Sequence, residues 1–277
     1  MALTIPTNLA SLEAQKNLAK NQMALQQSFS RLSSGYRINS AADDAAGLAI
    51  SESMKSQIRS YVVSERNAND AISMVQTAEG ALGNVQDIAA RMRELAVQAS
   101  NGSFTSTDRG YMNTEYSQLK DELVRIQGSA KFNGKALLQT TASSIVFQVG
   151  LNNTTNDQLT VTFGGFAMTA LVASTNNVGG TTASSALAAL STIDNAMTSI
   201  STQRAKYGAA MNRLGVVTSS IQTMRLNISA ANSRIRDVDV AEETSMMARN
   251  QVLAQAGISV LSQANQIPNM AMNLLGH

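Results

Sequence analysis

The strongest pattern in the chain is a seven-residue alternation of apolar positions. Val75, Ala78, Leu82, Val85, Ala89, Met92, Ala96 and Ala99 step by 3, 4, 3, 4 without a slip. That spacing keeps one face of an α-helix apolar and marks a coiled-coil seam, here with small residues at half its positions. Helical character extends back to about Ala42 through Leu48, Met54, Ile58 and Val62. Ser40-x-x-Asp43 reads as a loose capping box at its start, and Asn101-Gly102 as its stop. A second seam runs through Met112, Tyr116, Leu119, Leu123, Ile126 and Ala130, with Phe132-Asn133-Gly134 as a turn beyond it. The third is the longest: Leu190, Ile193, Met197, Ile200, Arg204, Tyr207, Met211, Leu214, Thr218, Ile221, Arg225, Ile228, Asn232 and Ile235. Its polar members, Arg204, Thr218, Arg225 and Asn232, cost stability but can fix register and partner number.

Both ends carry a sparser recurrence of seven. At the front it is Leu18, Leu25 and Leu32; at the back, Met246, Leu253, Val260, Ile267 and Leu274. Gly257, Ala264 and Ala271 sit four residues after three of the latter and permit close helix approach, although Pro268 removes a backbone donor. The strand signals lie mid-chain. Ile145–Val149 and Leu159–Phe163 alternate about a turn at Asn152–Asp157, and Ser174–Ser185 reads as a surface loop.

A continuous helix from Ala42 to Ser100 would be ~88 Å long. A compact domain of this length has a radius of gyration of ~19 Å. The pattern therefore predicts a mainly α protein: an elongated antiparallel helical bundle or coiled coil with one small mid-chain β-hairpin. Three regions are expected. Residues 1–43 with 236–277 form a terminal coiled coil that orders on assembly. Residues 44–140 with 182–235 form a central long-helix bundle, and 141–181 hold the hairpin and surface loop. The termini carry apolar stripes but too little core to be robust alone, so their ordering is expected when copies pack together.

Composition narrows the chemistry. Among 277 residues there is no Cys and no Trp, and the single His is His277. A disulfide, a thiolate nucleophile, a Cys/His zinc site and a buried catalytic His are excluded. Net charge is +2 with signs interspersed, which speaks against nucleic acid as a partner. No run reaches the ~18 apolar residues of a membrane span. MALTIPTNLASLEAQKNLAK has no basic n-region and no apolar h-region, so no cleaved signal peptide is expected.

The candidate catalytic groups fall away one by one. Ser117-x-x-Lys120 lacks the companion elements of a penicillin-binding site, and its helix seam points it to solvent. Asp43-Asp44 and Asp237-x-Asp239-x-x-Glu242-Glu243 are read as acidic helix starts rather than a carboxylate pair or a cation site. The methionines on the seams are read as core. No cofactor, metal or enzymatic activity is expected.

Arg31-Leu32-Ser33-Ser34-Gly35-Tyr36-Arg37-Ile38-Asn39-Ser40-Ala41-Ala42-Asp43-Asp44-Ala45-Ala46-Gly47-Leu48 closely resembles the N-terminal signature of bacterial flagellin. Arg66–Asp70, Gln76–Leu82, Arg93–Ala99 and Phe132–Gly134 continue the likeness. Gly208–Leu214, Ser233–Asp237 and Gln263–Gln266 are similar to the family's C-terminal region. The resemblance covers about 1–140 and 183–277, and implies a short form without large outer domains.

The resemblance further implies a subunit that self-polymerises into the flagellar filament for motility. The terminal seam Leu18, Leu25, Leu32, Met246, Leu253, Val260, Ile267 and Leu274 would form the inner coiled coil, and Leu32–Asp44 and Ile235–Glu242 the connections to an outer tube. It implies an extracellular location, export unfolded through the flagellar type III apparatus, and partnership with an export chaperone and with cap and junction proteins. The chaperone is expected on the C-terminal stripe. By resemblance, Arg91, Leu95 and Glu115 match positions that contact a host Toll-like receptor, with Ala89-Ala90 departing from the family's Leu-Gln. The rival readings are a hook–filament junction protein and a cytosolic coiled-coil scaffold.

Overall fold

The computed structural model describes the backbone of residues 7–165 and 168–275 and the side chains of residues 7–165 and 168–266. In chain order the elements are α1 (Leu9–Ser34), α2 (Ala45–Ala99), α3 (Ser106–Ser129), β1 (Lys131–Phe132), β2 (Lys135–Ala136), β3 (Ser143–Gln148), β4 (Gln158–Phe163), α4 (Met168–Val172), α5 (Ser184–Arg236) and α6 (Val240–Leu275). They form two compact units. One holds Met1–Ile58 with Leu226–His277, the other Arg59–Arg225, so α2 and α5 each contribute to both.

In the second unit the predicted seams are the core. All eight members of the Val75–Ala99 series are fully buried. On α5 the positions seven apart, Ile193, Ile200, Tyr207, Leu214 and Ile221, are buried too. Two of the polar seam positions are answered from α2: Arg204 by Glu79 and Gln86, Arg225 by Glu65. Thr218 donates to its own helix at the Leu214 carbonyl.

The strands pair as expected, with Ser143 opposite Phe163 and Gln148 opposite Gln158. On β4, Leu159, Val161 and Phe163 turn inward while Thr160 and Thr162 face solvent, the period-2 pattern of a half-buried strand. Phe163 meets Tyr207 of α5 with ring centroids 5.6 Å apart. A second, smaller hairpin was not expected: β1 and β2 pair across Asn133 (φ 47°) and Gly134 (φ 79°). Positive φ at both central residues is the type I′ turn that Asn-Gly favours. Strands of two residues are too short to show alternation, so only the turn was readable.

Three local expectations are corrected. First, α2 begins at Ala45, not Ala42, and Asp44 caps it by accepting from the Gly47 amide at 2.9 Å. Asp43 instead looks backwards, taking the Ser40 and Asn39 amides, which hold its carboxyl below its usual pKa. A Cβ at Gly47 would collide with the Asp44 carboxylate and with Ile38, so this cap needs glycine there. Second, the 174–185 stretch is not a free surface loop. Lys120 donates to the Ala173 and Asn176 carbonyls, Asn113 accepts the Val178 and Gly179 amides, and Val178 is buried. Third, Lys120 is therefore tied to this segment and half-buried.

Two devices at the α2–α3 turn escaped the sequence reading. Thr105 and Asp108 form a reciprocal capping box on α3. Arg109, 4% exposed, donates to the carbonyls of Ala99 and Asn101 and closes the end of α2. Its signal, an isolated Arg near a helix end, is too common to stand out.

Burial pushes the Tyr116 phenol up to about 12. The folded state thus keeps a proton that the unfolded state releases near pH 10, so stability is intact below pH 10 and falls as pH rises toward 12. Alkaline unfolding followed by circular dichroism should show a loss of roughly 2 kcal/mol over that window. Tyr116→Phe should remove that part of the slope; an unaltered slope would contradict the burial argument.

Candidate assembly interface

The terminal unit is built on α1 packed antiparallel against α6. Asn8 caps α1 by accepting the Ser11 amide, and its side-chain amide also donates to the Ala264 carbonyl at 2.7 Å. Ser11 donates to Asn265 at 2.8 Å. At the other end Arg31 meets Glu243 at 3.5 Å, with the glutamate side chain 6% exposed. Between these ties Gly257 lies opposite Leu18, where an added Cβ would stand 3.5 Å from the Leu18 Cδ1. Leu18, Leu25 and Leu32 sit on the half-buried flank facing α6.

The chain leaves α1 and enters α6 at the same end of this pair, through one shared clasp. Gly35 ends α1 in the left-handed conformation (φ 73°) and returns its amide to the Arg31 carbonyl. Tyr36 and Asp237 form an antiparallel bridge. The Arg37 amide donates to the Arg236 carbonyl at 2.6 Å, and the Val238 amide to that of Gly35 at 3.1 Å. The Arg236 guanidinium lies 4.4 Å over the Tyr36 ring and also reaches Glu52. Asp239 caps α6 through the Ala241 and Glu242 amides, and Glu243 pairs with Arg31. The acidic cluster is thus divided between a helix start and a pair in the clasp.

The α6 stripe read from sequence does not face α1. Met246, Leu253 and Val260 are 40%, 44% and 54% exposed. The face turned to α1 follows Glu243, Met247, Asn250, Ala254, Gly257, Leu261 and Ala264. Two adjacent series, Met246/Leu253/Val260 and Met247/Ala254/Leu261, share one period, so periodicity alone does not choose between them. Gly257 and Ala264 belong beside the second, and their small size lets the backbones approach. The side chains of Ile267 and Leu274 lie outside the described residues. Leu9, Leu12, Met23 and Phe29 on α1, and Val252 and Ile258 on α6, are also exposed.

In the second unit Arg91 and Glu115 are brought together at 2.8 Å, with Glu94 also 2.8 Å from Arg91. Leu95 does not join them at the surface; it is 2% exposed and part of the core. Ala89 is fully buried as well, while Ala90 borders a shallow depression with Arg93, Glu94, Val97 and Gln98.

Comparison with known proteins bears directly on these features. The bacterial flagellin N-terminal helical region matches residues 5–143, and the C-terminal helical region matches residues 190–275. This chain belongs to the bacterial flagellin family. It is 40% identical to a flagellin of Halalkalibacterium halodurans, over 99% of this chain and all of that one. Against a flagellin of Bacillus subtilis the identity is 39%, and against the flagellar filament 33 kDa core protein of Treponema phagedenis 38%, with the same coverage. A crystal structure of Bacillus cereus flagellin superposes with a TM-score of 0.50 at 33% identity, over 60% of this chain and 94% of that one. The chain is a structural subunit of a flagellar filament, not an enzyme.

Packing at Gly257 gives a graded test. Gly257→Ala adds a methyl at ordinary contact distance and removes a helix-interior glycine, so α6 should be as stable or up to ~1 kcal/mol more stable. Gly257→Leu should force α1 and α6 apart and lower terminal helicity. Equal helicity for both variants, measured by circular dichroism, would contradict the assigned contact.

Proposed function

We propose that this flagellin-family chain polymerises through the apolar faces its terminal helices leave uncovered. The observation that carries the reading is the double face of α6. Its small-residue side is matched to α1, while Leu253, Val260 and Ile258 stay in solvent within one chain. Scattered apolar residues are ordinary on a surface, but a stripe repeating every seven residues along a helix is a packing face in search of a partner. In a filament that partner is another copy, and the apolar area removed from water drives association. The terminal unit then acts as an inner coiled coil that becomes firmly ordered on assembly, with the Leu32–Asp44 and Ile235–Glu242 connections held by the clasp around Tyr36 and Arg236.

The remaining partners follow from the same exposure. An export chaperone would cover the C-terminal stripe before assembly, and export through the flagellar type III apparatus would deliver the chain to cap and junction proteins outside the cell. The Arg91–Glu115 pair is the exposed part of the proposed Toll-like receptor contact. Leu95 would act only from beneath, by shaping the helix that carries Arg91.

Leu253→Asp separates folding from assembly. Leu253 is half in solvent in the single chain, so the change should leave monomer helicity nearly intact. Between copies it would bury an unpaired charge at a cost of several kcal/mol. Seeded polymerisation watched by negative-stain microscopy should yield no filaments; normal filaments would refute the assignment of this face. For the receptor, Ala90→Gln restores a side chain at the surface without disturbing the buried Ala89. Receptor activation should rise several-fold over the parent chain, and an unchanged response would remove Ala90 from the contact.

A further inference from the structure

We infer that three ionic rungs between α2 and α5 select the register of the two helices, a choice the apolar pattern of their seam leaves degenerate. The rungs are Glu65 with Arg225 at 2.7 Å, Glu79 with Arg204 at 2.6 Å, and Arg93 with Asp194 at 2.7 Å. Their α2 members, at 65, 79 and 93, are spaced by two heptads each, so all three stand on one flank of the helix. The polar flank is reinforced between the charges: Gln86 accepts from Arg204 at 2.7 Å, and Gln222 donates to Glu65 at 2.8 Å.

The apolar seam distinguishes a slip of seven residues only by side-chain size, because its apolar character is the same after the slip. On α5, Ile193, Ile200, Tyr207, Leu214 and Ile221 repeat at that interval, and on α2 two series do so, Val75/Leu82/Ala89/Ala96 and Ala78/Val85/Met92/Ala99. Sliding one helix by a heptad sets apolar against apolar again. The charges respond differently. A slip of seven in either direction puts Glu65 against Thr218 or Asn232, Glu79 against Met197 or Met211, and Arg93 against Leu187 or Ser201. Every rung is broken and none is replaced. The sign also reverses along the ladder: α2 presents Glu, Glu, Arg and α5 presents Arg, Arg, Asp. A uniform charge pattern would tolerate partial slips; the reversed top rung does not.

The rungs are partly solvated, so each adds little to overall stability. Their role is discrimination, which needs only a difference between the native pairing and its neighbours. A one-heptad slip displaces the helices by ~10 Å, enough to misplace any surface that repeats from copy to copy.

The chain has no cysteine, so two introduced at the exposed Asn69 and Ser201 are unique sites for spin labels. Their offset of several turns along the helix axis makes the distance sensitive to an axial slip. Double electron–electron resonance then reads the α2–α5 register in the full chain. The parent should give one distance. Glu65→Gln with Glu79→Gln and Asp194→Asn should add a second population displaced along the helix axis by up to ~10 Å. Glu79→Arg combined with Arg204→Glu keeps the rungs paired and should return the single parent distance. One unshifted distance in the neutralised chain would overturn the inference and assign the register to the hydrogen bonds that hold Ser64, Asn67 and Gln203 to the hairpin. Outright unfolding of the neutralised chain would overturn it too, because the rungs would then supply stability instead of choice.

Discussion

A helix has one circumference, and what it buries against a neighbour within the chain is no longer available to a neighbour outside it. That constraint governs the terminal unit. The α1–α6 contact is most tightly buried at small and polar side chains, Ser11, Ser28 and Ala264, with Gly257 set against Leu18, and it is pinned by Asn8 at one end and the Arg31–Glu243 pair at the other. Close backbone approach supplies the packing. The larger side chains, Phe29 and Met23 on α1 and Leu253, Ile258 and Val260 on α6, are left outward. A monomer arranged this way leaves apolar side chains exposed on both terminal helices, which is the basis of the proposed assembly face.

The second unit follows the opposite plan. Its seams are filled with side chains that meet inside the chain, and several of its polar positions are answered locally. Lys120 and Asn113 hold the segment before α5, Arg109 closes α2, and Gln203 reaches the Thr162 carbonyl on β4. The junction between the turning segments of the first unit is equally specific. Gly35 reverses the chain, Asp44 starts the next helix, and the Arg236 guanidinium stacks on Tyr36 while pairing with Glu52. The residues that fold the chain and those proposed to join one chain to the next are thus different, even where they share a helix.

The legibility of this architecture in the sequence follows the same division. The helices of the second unit were readable because their burial is one-sided and periodic; the eight residues from Val75 to Ala99 mark the buried face without error. The β3–β4 pairing was readable from alternation. What escaped depended on a choice between near-equivalent local options. Asp43 and Asp44 are both able to cap a helix, and only three-dimensional geometry assigns the cap to Asp44. Met246 and Met247 head parallel series, and only the glycine opposite Leu18 decides which one faces α1. Leu95 stands between Glu94 and Ala96 and outside the 3–4 series, so the seam does not mark it, yet it is buried in the core.

The central claim is that the outward apolar faces of α1 and α6 are buried between copies. Carbene footprinting of the same chain as monomer and as filament measures it directly. The account predicts strong labelling of Leu12, Phe29, Leu253 and Val260 in the monomer and near-complete protection in the filament, with the buried Val75–Ala99 series unlabelled in both. Equal labelling of those four residues in monomer and filament would contradict it, and the polymer contacts would have to be sought on other faces.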